Sequence, residues 1–432
     1  MLVDSLIKAR WIIPVEPHEV ILENHSLIIH QGHILDILPS DQANEKYQAS
    51  ESHDLIDHVL IPGLINAHTH AAMSLFRGIA DDLPLMTWLE EHIWPLEAQW
   101  VDEEFVRDGS DLAIAEMLMS GTTCFNDMYF FPEVTAQQAI KRGIRANIGL
   151  IVFDFPSAWG TGAEHYLEKG IDLYHSLKHE PLINTPFAPH APYTVSDKPL
   201  QKINELAEQF DLPIHIHLHE SSHEVDSPEQ RPMQRLHNLE LIKDNFVAVH
   251  MTQLTDEEIT QFAATGAHIV HCPESNLKLA SGFCPVQQCL DAGINVALGT
   301  DSAASNNDLD MFSEMRTAAL LAKGFSKNAS AVSAATTLRM ATLNGAKALN
   351  IDNITGSLSI GKAADICAVD LSGINTLPLY NPLSHIVYTA SSHQVKHVWV
   401  AGKQVLKNRE LTTFDINDLK ARIQQWQTKL QS

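Results

Sequence analysis

The chain reads as α/β: a (β/α)8 TIM-type barrel carrying a small β-sandwich domain built from both chain ends. Three observations lead there. Short apolar runs alternate with helical patterns through the middle of the chain, eight times over. Hairpin patterns stand near both ends. The first apolar run closes on two histidines, His68 and His70, spaced i and i+2.

A chain of 432 residues is long enough for a large barrel and an accessory layer. Its formal net charge of −24 argues against nucleic acid or an anionic membrane as partner. Five cysteines with no Cys-x-x-Cys pair speak against a thiolate zinc site, and so sparse and odd a count fits a reducing cytoplasm. The start, Met1-Leu2-Val3-Asp4-Ser5, lacks the basic and apolar regions of a signal peptide. No apolar run approaches the ~18 residues of a membrane span.

Residues 1–58 read as β, with a hairpin over Ser26–Leu38 around a Gln-Gly turn. Val398–Leu406 repeats the pattern near the other end. A lone hairpin is marginal in water, so the two are expected to meet in one domain, 1–58 with 360–432, the latter ending in a helix. The barrel then occupies 59–359. Its expected strands are Val59–Ala67, Thr122–Asp127, Arg145–Val152, Ile183–Pro189, Pro213–His219, Phe246–His250, His268–Cys272 and Ile294–Thr300. Helical patterns cover Glu103–Ser120, Val134–Arg142, Leu200–Phe210, Asp256–Thr265 and Val286–Ala292, followed by Leu309–Lys323 and the Ala-rich Ser330–Leu349. A doubly wound open sheet is the alternative. It would usually show a Gly-rich turn after the first strand, where this chain has His68-Thr69-His70.

In such a barrel, functional groups gather at the C-terminal strand ends. Those ends carry His68 and His70 on strand one, His190 on four, His217 on five, His250 on six and Asp301 on eight. Residues i and i+2 of a strand face one side, so His68 and His70 can bring two imidazoles to one spot, and neutral imidazole suits zinc and related metals. His215 and His219 share the parity of His217, so parity does not choose among the three.

These residues resemble the amidohydrolase superfamily, and within it the deaminases of 5′-methylthioadenosine and S-adenosylhomocysteine. The resemblance rests on Pro62–His70, Trp94-Pro95-Leu96-Glu97, Ala188–Tyr193, His217-Leu218-His219-Glu220, Gly299-Thr300-Asp301 with Ser305–Asp308, and Gly361–Asp365. It implies one divalent metal, Zn²⁺ with Fe²⁺ or Mn²⁺ as alternatives, on His68, His70, His217 and Asp301. The family places its ligand three residues before the glutamate, which selects His217; His215 is then a buried, hydrogen-bonded histidine one layer down. Two-metal relatives bridge their ions with a strand-four lysine, and Ile183–His190 contains none, so a single ion is expected.

The resemblance also assigns roles. Asp301 accepts the proton of the attacking water, Glu220 protonates adenine N1 and has a raised pKa, and His250 hydrogen-bonds the nucleophile. Glu97 holds the ribose diol and His190 the nucleoside. Most aromatics of Leu83–Trp94 are expected in core packing. Relatives that accept S-adenosylhomocysteine grip its carboxylate with arginines after strand three, whereas 147–166 here has no arginine or lysine and its segment Phe153–Trp159 is apolar and acidic, with Phe153, Asp154, Phe155 and Trp159. A methylthio group would meet Phe153, Phe155 or Trp159. The expected activity is therefore hydrolytic deamination of adenine nucleosides, 5′-methylthioadenosine first and S-adenosylhomocysteine weaker. The rivals are a guanine, cytosine or triazine hydrolase on the same scaffold, a non-catalytic scaffold protein, and a plain metal-binding module. Relatives of this kind are commonly homo-oligomers, and a cytoplasmic one acting on a small molecule is expected.

Overall fold

The computed structural model describes residues 1–226 and 230–431. At its centre, eight strand positions run parallel: Leu64–Thr69, Thr122–Asp127, Arg145–Ile148 with Leu150–Val152, Ile183–Asn184 with Phe187–Pro189, Ile214–Leu218, Phe246–His250, His268–His271 and Asn295–Leu298. Strands three and four, expected as single runs, are each broken in two. Their first halves pair toward strand two and their second halves toward strand five. Strand three breaks at Gly149, whose N–H turns aside to Asp127 O at 2.8 Å. Strand eight returns to strand one through a parallel bridge between Thr69 and Asp301, with Asp301 N donating to His68 O at 3.0 Å. The parallel α/β barrel is thereby closed where the two histidines and the aspartate stand.

The helices begin where local chemistry provides a cap. Asp102 accepts from Phe105 N ahead of Glu103–Met119, and Thr255 with Glu258 forms a capping box ahead of Asp256–Ala263. The expected helix over Ser330–Leu349 is divided into Ala334–Met340 and Leu343–Ala348. Thr342 between them has φ −135° and ψ −92°, outside helical geometry, so alanine content alone overestimated its length. The last helix, Ile416–Leu430, packs back on Glu103–Met119 through Trp426 Nε1, which donates to Asp108 Oδ2 at 2.9 Å.

Both chain ends do meet. Leu2–Ile12, Leu22–His30, His33–Pro39 and Gln48–Pro62 share one eight-stranded sheet with Ile366–Asp370, Val395–Val400, Lys403–Lys407 and Glu410–Leu411. The sheet has a core of its own, to which Ile7, Ile29 and Leu60 contribute from one end of the chain and Ile366 and Trp399 from the other. The run expected as one barrel strand, Val59–Ala67, is shared between the two bodies: Gln48–Pro62 ends in the terminal sheet and Leu64–Thr69 opens the barrel. Gly63 separates them, and a Cβ there would lie 2.0 Å from Thr123 Oγ1, so only glycine permits this approach. Among the described residues no helix is long and apolar enough to cross a membrane. The five cysteines are free and buried.

Candidate active site

The strand-end groups converge. Asp301 Oδ1 lies 3.3 Å from His68 Nε2 and 3.2 Å from His70 Nε2. His217 Nε2 lies 3.2 Å from His68 Nε2 and 3.3 Å from His70 Nε2. His250 stands just outside this knot: its ring nitrogen falls with donor atoms of His68, His217 and Asp301 inside a 4.8 Å span. Each group arrives from the mouth of a different strand, except His68 and His70, which share one as i and i+2.

The surroundings fix which atom each ring presents. His70 Nδ1 donates to the Met128 carbonyl, and His217 Nδ1 donates to His190 O at 2.7 Å. A carbonyl only accepts, so Nδ1 carries the proton and Nε2 is left bare toward the others. His68 Nδ1 is 3.0 Å from His215 Nε2, and in this imidazole pair either nitrogen can be the donor; a cation on His68 Nε2 requires that His68 Nδ1 donate. Asp301 is held from behind: its Oδ2 accepts from Ser275 Oγ at 2.6 Å and from Ser305 Oγ at 2.9 Å.

The electrostatics agree with that arrangement. Burial, aided by neighbouring imidazoles, holds His217 well below the usual range, and burial brings His68 to about 4. Burial pushes on Asp301 too, but hydrogen bonds and charge from His68 and His70 prevail and hold it well below an ordinary carboxyl. His70 is drawn up to about 9, with burial opposing and Asp301 prevailing. That proton is the one a cation would displace. Three imidazole Nε2 atoms and a carboxylate within 3.3 Å of their neighbours, each ring oriented by a second hydrogen bond, form a donor set suited to a divalent metal of zinc type.

A cavity of about 420 Å³ opens above these groups. Glu220 and His250 line it beside the donor set, their Oε1 and Nε2 3.8 Å apart. Burial raises the Glu220 carboxyl, as expected for a group that must carry a proton. His250 Nδ1 lies 2.8 Å from Asn276 Oδ1, which leaves Nε2 free of that proton. Glu97 lines the same cavity, its Oε1 accepting from Tyr129 OH at 2.8 Å. Burial pushes Glu97 up to about 7, with the Tyr129 hydrogen bond opposing. His190 completes the polar set, held by Thr194 Oγ1 at 2.9 Å and stacked on Phe153 with centroids 4.8 Å apart. Burial lowers it to about 3, so its ring is neutral.

The rest of the lining is apolar. Leu85, Trp88, Leu89, Ile93 and Trp94 line the cavity, while Leu85, Trp88 and Ile93 are also buried in a core cluster, so the segment serves as both core and wall. Phe153 and Phe155 line it too, but Trp159 does not; its indole N–H donates to Glu133 at 3.0 Å. Asp154 is likewise turned away, accepting from Ser196 N at 2.8 Å. No lysine or arginine among the described residues lines the cavity.

Every site residue expected from the sequence is therefore in or beside one cavity. Sequence reading missed Ser275 and Asn276, which follow strand seven and reach Asp301 and His250. Neither is of a type that singles itself out, and strand seven contributed no expected group. His215 was placed as a buried histidine, and it is one; its contact with His68 is what the sequence did not tell. His219 points elsewhere, accepting from Met233 N at 3.2 Å.

A closed parallel barrel with a histidine–aspartate donor set at its C-terminal mouth defines a class of metal-dependent hydrolase fold. The profile of the Amidohydrolase family matches residues 59–405, and the chain belongs to that family. It is 51% identical to the 5-methylthioadenosine/S-adenosylhomocysteine deaminase of Saccharophagus degradans, over 99% of this chain and 97% of that one. A zinc-bound crystal structure described as an adenosine deaminase of Xanthomonas campestris superposes with a TM-score of 0.98 at 49% identity, covering 100% of this chain and 99% of that one. The atrazine chlorohydrolase of Arthrobacter aurescens, at 23% identity and a TM-score of 0.91 over 98% of this chain and 99% of that one, shares the fold.

Proposed function

We propose that this protein is a hydrolytic deaminase of adenine nucleosides that prefers 5′-methylthioadenosine, with S-adenosylhomocysteine weaker. The observation that carries the proposal is that Glu97, Glu220 and groups of the donor set line one largely apolar cavity, with no lysine or arginine among the described lining residues. The named relatives support the same reading.

His68, His70, His217 and Asp301 would hold one divalent ion, Zn²⁺ in the first instance with Fe²⁺ or Mn²⁺ possible by donor type. Such an ion supplies Lewis acidity, bringing the pKa of water from 15.7 toward ~7. The chain's own groups do the rest. Asp301, fixed by Ser275 and Ser305, takes the proton of the attacking water at a carboxylate oxygen. His250 orients that water through Nε2, since Nδ1 is committed to Asn276. Glu220 delivers a proton to N1 of the purine, which makes C6 electrophilic. Water oxygen bonds to C6, the proton taken by Asp301 passes to N6 as the C6–N6 bond breaks, the remaining hydroxyl proton restores Glu220, and ammonia and the 6-oxopurine result. Proton transfers of this kind contribute ~10²–10⁴-fold each.

Glu97 would accept both hydroxyls of the ribose, a task for which an ionised carboxylate has the lone pairs. His190 would hydrogen-bond the nucleoside through the ring nitrogen not held by Thr194. Phe153 and Phe155 would meet a methylthio group; a homocysteine carboxylate would find no partner of opposite charge.

Around the site, we read 59–359 as the barrel, and 1–58 with 360–432 and its terminal helix as a small β-sandwich. Its closure is supported by contact between the two hairpin turns, where a Cβ on Gly32 would lie 2.9 Å from Ala401 O. The protein would work as a cytoplasmic homo-oligomer on a small molecule, without nucleic acid or membrane.

The test is ammonia release by zinc-loaded protein from 5′-methylthioadenosine, S-adenosylhomocysteine, adenosine, adenine, guanine and cytosine. Fast turnover of the first and slow turnover of the second support the proposal. Turnover of free bases alone would move the protein to the base or triazine hydrolases, and metal binding without turnover would favour a scaffold or metal-binding role.

A further inference from the structure

A second cavity, of about 410 Å³, adjoins the first. The two share Leu85, Tyr193 and Glu220 as lining, so Glu220 stands at their boundary. The second differs from the first in chemistry: Ser221, His223 and Glu224 line it, and exposed His223 opens it to solvent. Glu224 has an unusual place there. Its Oε2 accepts the backbone N–H of Glu220 at 2.8 Å, and the backbone of His219 also stabilises the carboxylate, while among the described residues Oε1 is buried with no hydrogen-bond partner. A buried acceptor left unpaired is costly, so Oε1 favours a donor molecule that enters this cavity.

We propose that the second cavity is the exit for the amine leaving group, and that Glu224 Oε1 receives ammonia as it departs. This rests on the deaminase reading above. Ammonia forms at C6, next to the N1 that Glu220 protonates. The ribose, reaching toward Glu97, and the 5′ substituent, reaching toward Phe153 and Phe155, fill the first cavity between C6 and its mouth. Ammonia is small and carries three N–H donors, and it is released beside the residue that borders the second cavity. There Glu224 Oε1 is an acceptor without a donor. An anionic leaving group would gain nothing from the same carboxylate.

The test compares 5′-methylthioadenosine with its 6-chloropurine analogue, which is hydrolysed at the same carbon but releases chloride. In Glu224→Gln, which keeps an amide oxygen for the Glu220 N–H, the ratio of kcat for the 6-amino over the 6-chloro substrate is expected to fall about tenfold, the loss of one hydrogen bond to a charged group. Ammonium chloride, against a potassium chloride control, is expected to inhibit the unsubstituted enzyme and to inhibit Glu224→Gln about tenfold less. His223→Trp, which obstructs the cavity from its solvent side, is expected to lower the same ratio, and it serves if Glu224→Gln does not fold. A general structural defect would lower both rates together. A ratio within twofold of the unsubstituted enzyme in both variants overturns the proposal. So does a lowered ratio with unchanged ammonium inhibition, which would make Glu224 a partner in proton delivery only. If the unsubstituted enzyme hydrolyses neither nucleoside, the deaminase reading itself falls, and the exit with it.

Discussion

His215 and His68 are joined ring to ring, Nε2 to Nδ1 at 3.0 Å, with both side chains buried. A cation on His68 Nε2 requires the proton of His68 to sit on Nδ1, and His215 Nε2 stands where it can accept that proton. Replacing it should loosen the metal rather than the substrate. His215→Ala is expected to weaken zinc binding about 10–100-fold while leaving KM near its original value at saturating zinc. Competition with a chelator measures the first and steady-state kinetics the second.

Ser275 and Ser305 make a parallel case for Asp301. Their hydroxyls occupy Oδ2 and so aim Oδ1 at the histidines. Ser275→Ala removes the shorter of the two bonds to a carboxylate, a loss of ~1.5–3 kcal/mol in a buried pair. The expected outcome is kcat down about 10–100-fold with KM little changed, checked against metal content so that reduced loading is not mistaken for reduced chemistry.

Glu97 should make nucleoside binding depend on pH. Its carboxyl is pushed up to about 7 by burial, and the ionised form is the one that accepts two hydroxyls. A raised acid pKa means the carboxylate is present above pH 7 and is lost below it. KM for 5′-methylthioadenosine is therefore expected to rise about tenfold as pH falls from ~8 to ~6. The 2′,3′-dideoxy analogue should not show that rise, nor should Glu97→Gln.

On the proposed reading, the lack of a lysine or arginine among the described lining residues sets the preference between the two thioether nucleosides. Phe155 lines the cavity yet is 41% exposed, so an arginine there could keep its charge hydrated and still reach a carboxylate. Phe155→Arg is expected to raise kcat/KM for S-adenosylhomocysteine relative to 5′-methylthioadenosine about tenfold or more. Competition between the two substrates in one mixture reads the ratio directly.

The eight strand positions were legible in the sequence because buried parallel strands are short apolar runs with few polar interruptions. What the runs hide is where one strand ends and another begins. Val59–Ile65 is continuously apolar because both bodies bury it, and only Pro62-Gly63 marks the change of sheet. The site was legible to the extent that its residues carry unusual side chains at strand ends. His68, His70, His217, His250 and Asp301 announce themselves by type. Ser275 and Asn276 do not: a serine and an asparagine after a strand are ordinary turn residues until a structure shows what they touch. The cavity wall was half legible for a similar reason. Trp88 read as a core residue and is one, yet it and Trp94 also line the cavity.

The most direct test of the account is the ratio of kcat/KM for 5′-methylthioadenosine to that for free adenine, measured with zinc-loaded protein. The two share the reacting carbon and N1, and differ in the ribose that Glu97 is placed to hold. Two hydrogen bonds to a carboxylate, at ~1.5–3 kcal/mol each, lead to a nucleoside preference of about 10²-fold or more. A ratio near one, or a preference for the free base, would contradict the reading of Glu97 and of the cavity as a nucleoside site.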